Sequence, residues 1–462
     1  IYLPATHDRP FDESFDQHWL YYLYGINTCN RGKYPIQANG AIFNVQDGWQ
    51  YWGSMYWWFN SSRQTLTPVF EQANHPELAD PYFSMLTRQF PRINQVAIQQ
   101  FGCGNDAIWI QETFAFDGPE VLPEKNRPNA KTRSDWESRW GGAGPSLLYN
   151  TAEAAQWYWE RYEYTGDMAW LKDRAYPMLK GVAELYRTYP GTKLEADGKY
   201  HINNTSWAET YRDNVRDCIN DLASIRGMFP VAIKAAKLLK IDAELVPLWQ
   251  DMLDKLAPYP TSADPNGMGV LQLAGEPVYA IGIGDDKRPG SDPDPRMMMV
   301  NIFDLLNTET KAARPDEWQL AMNTLSAMNL GRRVTNVKNE DEVNRFFGTM
   351  ARMGSAEWVK KCFDAMVRHW KNKHDPWPSF PNRIREYNPE GGFALDWQHD
   401  GTFSEGLCQA LLQSGAASPG GTPVIRVFPA WPKDMDASFS LRTKGDFLVT
   451  SLMKSGQVDF IE

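Results

Sequence analysis

The chain has 462 residues, a length at which one or two large domains are expected. Its formal net charge of −10, without any basic run, argues against a nucleic-acid partner. No apolar run is long enough to span a bilayer. The spacing of the Cys and His residues fits no zinc motif, so we expect free thiols and neither a metal nor a cofactor.

An aromatic run from Trp49 to Asn60 is the first conspicuous segment, in a chain that carries 19 Trp, 20 Tyr and 22 Phe. So many large rings cannot all face one core stripe, and some must line a cleft or an interface. Because the C–H faces of a pyranose stack on indole rings, we favour a sugar platform over pure packing. Its candidate substrate contacts are Trp52, Tyr56, Trp58 and Asn60.

The segment 106–112 ends in Glu112, an alternative acid and a further candidate for substrate binding. Two long loops follow along the chain, at 116–135 and at 258–296. Long loops in a compact helical domain are usually functional or disordered. The second loop contains a possible hairpin between 270–273 and 278–281.

Most of the chain has the pattern of helix hairpins. Apolar residues at three-to-four spacing predict a helix over 148–162 that ends at Gly166. Asp167 begins the next helical segment, and Pro177 lies where a proline is tolerated in the first turn of a helix. Further helices are predicted at 222–239, which Pro230 should kink, and at 316–328, 342–353, 356–370 and 403–412.

The loop 203–210 places small polar residues around one Trp and one Glu, directly before a helix. Glu209 is therefore a candidate acid, with Asn204 and Trp207 as candidate substrate contacts. The alternative is an ordinary first-turn helix acid, which the helix dipole favours. Composition alone leaves both interpretations open.

The segment 396–404 brings Trp397, His399 and Asp400 together before a glycine and a predicted helix. Asp400 is the second candidate carboxylate, and the other two are candidate substrate contacts. An Asp-Gly turn with Asp as an N-cap is the alternative, and a lone His is often structural.

The end of the chain alternates as strands do, at 424–428, 438–442, 447–452 and 457–461. We therefore expect a helical domain over 1–420 and a β-strand region over 421–462. A few short strands rarely stand alone, so these should pack on the helical body.

Several segments, taken in order, resemble glycoside hydrolase family 95, the family of 1,2-α-L-fucosidases and α-L-galactosidases. Residues 37–44 resemble its LQGIWN stretch, residues 157–167 are similar to its HLWEHYxFTGD helix end, and residues 428–433 resemble LLPALPK. The resemblance implies a mainly α fold, an (α/α)6 barrel with a small C-terminal β domain. The family also has an N-terminal β-sandwich domain, which we expect to be absent from this chain.

The same resemblance covers both candidate carboxylates. Residues 205–209 fall where the family has SPEN, whose Glu is the general acid, and residues 397–403 fall on FQIDGNF, whose Asp is the base. It thus implies that Glu209 and Asp400 form a catalytic pair.

Two departures concern specificity. The family's HxNIN stretch, whose asparagines hold the attacking water, corresponds here to Ser54 and Tyr56, and its His-rich HRHxSHL segment corresponds to 296–303, which contains no His. The predicted function is a periplasmic or secreted, exo-acting glycosidase that cleaves α-linked oligosaccharides or polysaccharides with inversion. A polysaccharide lyase and a non-catalytic glycan-binding protein are the alternatives.

Overall fold

The computed structural model describes residues 1–3, 15–36, 56–57, 69–119, 147–207, 215–269, 273, 275–285, 295–328, 347–372, 385–388, 392–395 and 397–462. Within these ranges the chain is dominated by helices that follow one another as hairpins. The helices are α1 (Phe15–Cys29), α2 (Val69–Gln72), α3 (Asp80–Arg88), α4 (Phe90–Phe101), α5 (Tyr149–Thr165), α6 (Met168–Trp170), α7 (Tyr176–Thr188), α8 (Ile219–Leu239), α9 (Val246–Asp254), α10 (Met298–Asn301), α11 (Thr310–Ala313), α12 (Pro315–Ala327), α13 (Ala356–Asn372) and α14 (Trp397–Leu411).

The second helix of each hairpin belongs to an inner ring. Helix α2 packs on α5, α5 on α8, and α8 on α10. The helical segment 347–352 continues the ring, since Asn301 donates a hydrogen bond to Thr349 at 3.5 Å and the rings of Phe347 and Phe403 lie 5.4 Å apart. Helix α14 closes the ring on α2. The described helices therefore form an (α/α)6 barrel.

The inner helices run in one direction, as two adjoining polar cavities show. The first is lined by Gln72, Glu160, Tyr164, Arg352 and Gln409 from the C-terminal parts of α2, α5, 347–352 and α14, by Asp304 from the turn after α10, and by Gln413 just after α14. Val231, in the C-terminal half of α8, lines the second cavity together with Glu163 and Asp304. The N-terminal ends of the same helices consequently lie at the opposite end of the barrel.

Local sequence explains the α5–α6 junction as predicted. Helix α5 ends at Gly166, which adopts a left-handed φ of 64°. Asp167 then caps the next helix, because its Oδ1 accepts hydrogen bonds from the backbone amides of Ala169 and Trp170 at 2.8 and 3.0 Å. A π-helical turn, Leu171–Ala175, joins α6 to α7.

Strands occur as short antiparallel pairs: β1 (Tyr56–Trp57) with β2 (Thr113–Phe114), β3 (Thr192–Leu194) with β4 (Tyr200–Ile202), β5 (Arg385–Asn388) with β6 (Gly392–Leu395), and β7 (Leu412–Gly415) with β8 (Val424–Val427). The predicted terminal strands are confirmed as a three-stranded antiparallel sheet of β9 (Ala437–Thr443), β10 (Phe447–Lys454) and β11 (Gln457–Ile461). Its inner face, with Phe439, Leu441 and Val449, is buried. The division at residue 420 stays a prediction.

One predicted boundary needs correction. Helix α14 begins at Trp397 rather than 403, so Asp400 and Gly401 belong to its first turns, where an acid is favoured by the helix dipole. The stretch 278–281 pairs with 260–268: the amide of Ser262 donates to the carbonyl of Val278, and that of Ile281 to the carbonyl of Met268, both at 2.8 Å. Of its predicted partner, 270–273, only Leu273 lies within the described residues. Helix α8 extends from Ile219 to Leu239 with Pro230 inside it, and the kink stays a prediction.

The cysteines are free as expected, and four of the five are buried. Among the described residues, no helix combines the length and apolar character that crossing a membrane requires.

Candidate active site

Two candidate segments lead into inner helices and therefore meet at the N-terminal end of the barrel. The loop after β4 runs into α8, and β6 runs into α14. Because the inner helices are parallel, the residues just before α8 and those in the first turn of α14 share this end. An active site assembled here would draw its groups from helix starts and the loops before them.

Asp400 lies in the first turn of α14 and is 2% exposed. The carboxylate faces α1, which packs along α14. Its Oδ1 lies 3.7 Å from Nδ1 of His18, a side chain that is also 2% exposed. The surroundings thus keep bulk water away from this carboxylate, as a base that activates one held water molecule requires.

An aromatic cluster supports the helix that carries Asp400. Phe403 lies one turn after Asp400, and its ring contacts those of Phe15, Phe347 and Phe363, with centroids 5.4–6.5 Å apart. The ring of His18 meets Phe403 edge-on at 6.4 Å. These contacts fix the first turns of α14 and, with them, the position of the carboxylate.

The loop that contains Glu209 is closed at its base by a backbone pair. Thr205 and Val215 exchange both of their backbone hydrogen bonds, at 3.1 and 3.2 Å. Glu209 itself lies outside the described residues. Trp207 is 3% exposed and packs in a small cluster with Val215, Cys218, Met268 and Ile281.

The turn that follows Val215 is anchored by a charged pair. His201 Nδ1 lies 2.6 Å from Asp217 Oδ2, and the other oxygen of Asp217 accepts a hydrogen bond from the amide of Ile202 at 3.0 Å. Burial lowers the pKa of His201, but hydrogen bonds to Asp217 and Asp197 outweigh this effect and raise it above the ordinary value. Through Asp217, His201 therefore holds the end of the loop on β4.

A third buried carboxyl lies beneath this loop. Asp221, in the first turn of α8, is fully buried, and its Oδ1 accepts a hydrogen bond from the Tyr186 hydroxyl at 2.8 Å. Burial raises the pKa of Asp221 from 3.8 to about 7. Its neighbour Asn220, equally buried, donates to the carbonyl of Trp207 at 3.2 Å.

The remaining described candidates differ in their surroundings. Tyr56 is fully buried: its ring stacks on Phe114 at 5.9 Å and its hydroxyl donates to the Pro35 carbonyl at 3.2 Å. Glu112, just before β2, is 6% exposed. Asn204 is exposed, with a left-handed φ of 59°. Direct sugar contact by any of them stays a prediction.

Trp52, Trp58 and Asn60 lie outside the described residues, and of Trp397 and His399 only the backbone is described, at the start of α14. The described residues contain no group of His, Cys, Asp and Glu side chains that could hold a metal ion.

His18, Asn220 and Asp221 were missed by the sequence analysis. A carboxylate and an amide just ahead of the apolar stripe 222–239 are ordinary helix-start residues, so no local signal marked them. His18 comes from the opposite end of the chain to Asp400, and only the closure of the barrel brings them together.

Residues 20–268 match the profile described as "Glycosyl hydrolase family 95 catalytic domain". The chain is similar to a kojibiose hydrolase of Flavobacterium johnsoniae, at 25% identity over 51% of this chain and 30% of that protein. It is also similar to a protein-glucosylgalactosylhydroxylysine glucosidase of Dictyostelium discoideum, at 22% identity over the same shares. The chain thus spans less than a third of the length of these relatives.

A solved structure described as a kojibiose phosphorylase from the human microbiome superimposes with a TM-score of 0.53 at 8% identity. The superposition covers 95% of this chain and 55% of that one. At this identity the likeness bears on the fold alone, and it agrees with the helical barrel described above.

Proposed function

Since this chain belongs to glycosyl hydrolase family 95, we propose that it hydrolyses α-linked glycosides with inversion, with Glu209 as general acid and Asp400 as general base. The observation that carries the proposal is the placement of Asp400. This carboxylate is buried in the first turn of an inner helix, at the barrel end to which the loop containing Glu209 also leads. General bases of this kind need such a desolvated, fixed position.

In the proposed reaction, Glu209 protonates the oxygen of the leaving sugar while Asp400 takes a proton from the attacking water. The C–O bond breaks as water adds from the opposite face, so the anomeric configuration inverts in one step. Inversion requires about 6.5–9.5 Å between the two carboxyl groups, which leaves room for the water. The burial of Asp400 beside His18 supports the role of Asp400 as the base.

For the substrate, we propose a terminal α-linked sugar. The names of the relatives point to kojibiose and to a glucoside, whereas the family resemblance pointed to α-L-fucosides and α-L-galactosides. The family's water-holding asparagines and His-rich segment are replaced in this chain at Ser54, Tyr56 and 296–303. Kojibiose, a disaccharide of two α-linked glucose units, is therefore the first substrate to test. Hydrolysis is favoured over β-elimination because two of these relatives are named a hydrolase and a glucosidase.

The test is a substrate screen with product stereochemistry. Kojibiose, aryl α-L-fucosides and aryl α-L-galactosides would be incubated with the wild type, Glu209→Gln and Asp400→Asn, and the first-formed anomer would be followed by NMR. We expect a β-anomer from an α-glycoside with the wild type only. An α-anomer as first product would exclude inversion.

A further inference from the structure

Helix α1 presents a buried histidine to the carboxylate of Asp400. Both side chains are only 2% exposed, and Nδ1 of His18 lies 3.7 Å from Oδ1 of Asp400. Removing a polar side chain from water costs free energy unless it meets a polar partner, so leucine or phenylalanine would suit this position better if it only packed α1 on α14. Packing alone therefore does not explain the residue type.

Aromatic packing holds the two helices in register at this contact. Phe15 lies one turn before His18 on α1, Phe403 lies one turn after Asp400 on α14, and the two phenylalanine rings are 5.6 Å apart. Phe15 also stacks on Phe363, with centroids 4.5 Å apart. The ring of His18 itself meets Phe403 edge-on at 6.4 Å. The imidazole consequently has a fixed place beside the carboxylate.

The chemistry of the pair determines where the imidazole hydrogen lies. A carboxylate only accepts hydrogen bonds, so the ring nitrogen that faces it must carry an N–H, because two opposed lone pairs would repel each other. At 3.7 Å the contact is longer than a hydrogen bond and acts electrostatically. Catalytic contacts are often long in the free enzyme and shorten when the substrate binds. Burial disfavours the charged form that a base requires, and the N–H of His18 opposes this effect.

We propose that His18 is a positioning residue for the general base: its Nδ1–H orients the carboxylate of Asp400 toward the attacking water. This inference rests on the proposed role of Asp400. Both side chains also have other interaction partners, so His18 is one of several groups that hold the carboxylate, and its loss should slow the enzyme rather than stop it. The contribution is geometric, and a displacement of about 1 Å at a catalytic group can cost on the order of 10²-fold in rate.

The experiment compares two replacements of nearly equal size, His18→Leu and His18→Asn, with kojibiose as substrate. Both variants lose the imidazole ring and its contact with Phe403, so they share the same loss of packing. Only asparagine keeps an N–H donor at the place of Nδ1, because its amide group begins at the same side-chain atom. We expect kcat to fall about 10–100-fold in His18→Leu but less than about 5-fold in His18→Asn, with KM nearly unchanged in both.

Tyr22→Leu is the control for the packing of α1. Tyr22 lies one turn after His18, is fully buried and stacks on Phe70 with ring centroids 5.6 Å apart. This variant should lower the free energy of unfolding but keep kcat within about 3-fold of the wild type. Equal losses of kcat in the two His18 variants, or no loss in either, would overturn the inference. If Asp400→Asn turns over kojibiose like the wild type, the proposed function fails instead.

Discussion

Burial has different consequences for Asp400 and Asp221, two of the buried carboxyl groups described at the N-terminal end of the barrel. Asp400 is nearly inaccessible and faces His18 at 3.7 Å, whereas Asp221 is fully buried and accepts a hydrogen bond from Tyr186. A carboxylate that serves as a base must ionise, and a carboxyl that only supports a loop need not. The pKa of Asp221, raised to about 7 by burial, fits the second kind.

Replacing Asp400 by Asn should abolish turnover and preserve the fold. The amide has the size of the carboxylate but cannot take a proton from water, so kcat should fall by about 10²–10⁴-fold or more. Steady-state kinetics and the circular dichroism spectrum would be compared with those of the wild type. Asp242→Asn is the control and should keep full activity. Asp242 is a half-buried residue in the turn after α8. Retained turnover in Asp400→Asn would refute the role of this base.

Asp221 should make stability depend on pH. The folded state raises the pKa of this carboxyl from 3.8 to about 7, so between these values the folded protein binds more protons than the unfolded chain. The free energy of unfolding that Asp221 contributes is therefore complete below about pH 4. It declines by up to about 4 kcal/mol as the pH rises to about 7.

Urea unfolding at about pH 5 and about pH 8 would test this dependence. Asp221→Asn keeps an acceptor for Tyr186 and cannot ionise, so its free energy of unfolding should fall less between the two values than that of the wild type. The comparison with the wild type matters because burial also raises the pKa of Glu71 to about 7. Identical slopes for the two proteins would contradict the expectation.

At the scale of elements, helix α14 depends on close packing against the segment 347–352. A Cβ atom added at Gly406 would lie 2.6 Å from Cγ of Phe347 and 2.9 Å from its Cε1. Phe347 is fully buried and contacts Phe403, which follows Asp400 by one turn. The absence of a side chain at Gly406 therefore lets α14, the helix that carries Asp400, approach its neighbour.

Gly406→Ala should destabilise the protein by about 1–3 kcal/mol, because the methyl group must displace the Phe347 ring. The matched control is Gly348→Ala, since a Cβ at Gly348 meets no atom within 4 Å. That variant should be neutral or stabilise the helix by about 0.5–1 kcal/mol. Urea denaturation of both variants gives the comparison, and equal effects would contradict this account of the packing.

At the scale of the whole molecule, the C-terminal sheet is attached to the barrel where the inner helices end. Lys444, in the turn between β9 and β10, is largely buried, and its Nζ lies 2.9 Å from Glu163 and 3.8 Å from Asp304. Arg352 pairs with Glu405 at 2.8 Å beside them. Helix C-termini carry partial negative charge, so these two cations balance both the acids and the helix dipoles.

Lys444→Met should destabilise the protein by about 3–5 kcal/mol, because it removes a largely buried cation from two carboxylates that are themselves only 13% exposed. Adding Glu163→Gln to the same variant should restore part of the loss, since one of those charges is then removed. Lys361→Met, whose partner Glu357 is exposed, is the control and should change stability little. Urea unfolding measures all three, and a double variant no more stable than Lys444→Met would exclude the pairing.

The sequence by itself determined the local elements and the family. Apolar spacing, Gly166 and Asp167 marked the helices around the α5–α6 junction, alternation marked the terminal strands, and the motif around Asp400 indicated a glycosidase. Each of these signals depends on residues that are neighbours along the chain. The start of α14 was predicted too late in the chain because an Asp-Gly pair is typical of a turn. In the folded chain, packing of this segment against α1 outweighs that local preference.

The tertiary structure alone decided which helices form the inner ring, and thus which ends carry the site. It placed His18 beside Asp400, Asn220 under Trp207 and Lys444 at the far end of the barrel. These contacts join residues distant in sequence, and they exist only once the ring of helices has closed. Periodicity reports which face of a helix is buried but not what that face meets, so this information was beyond the sequence.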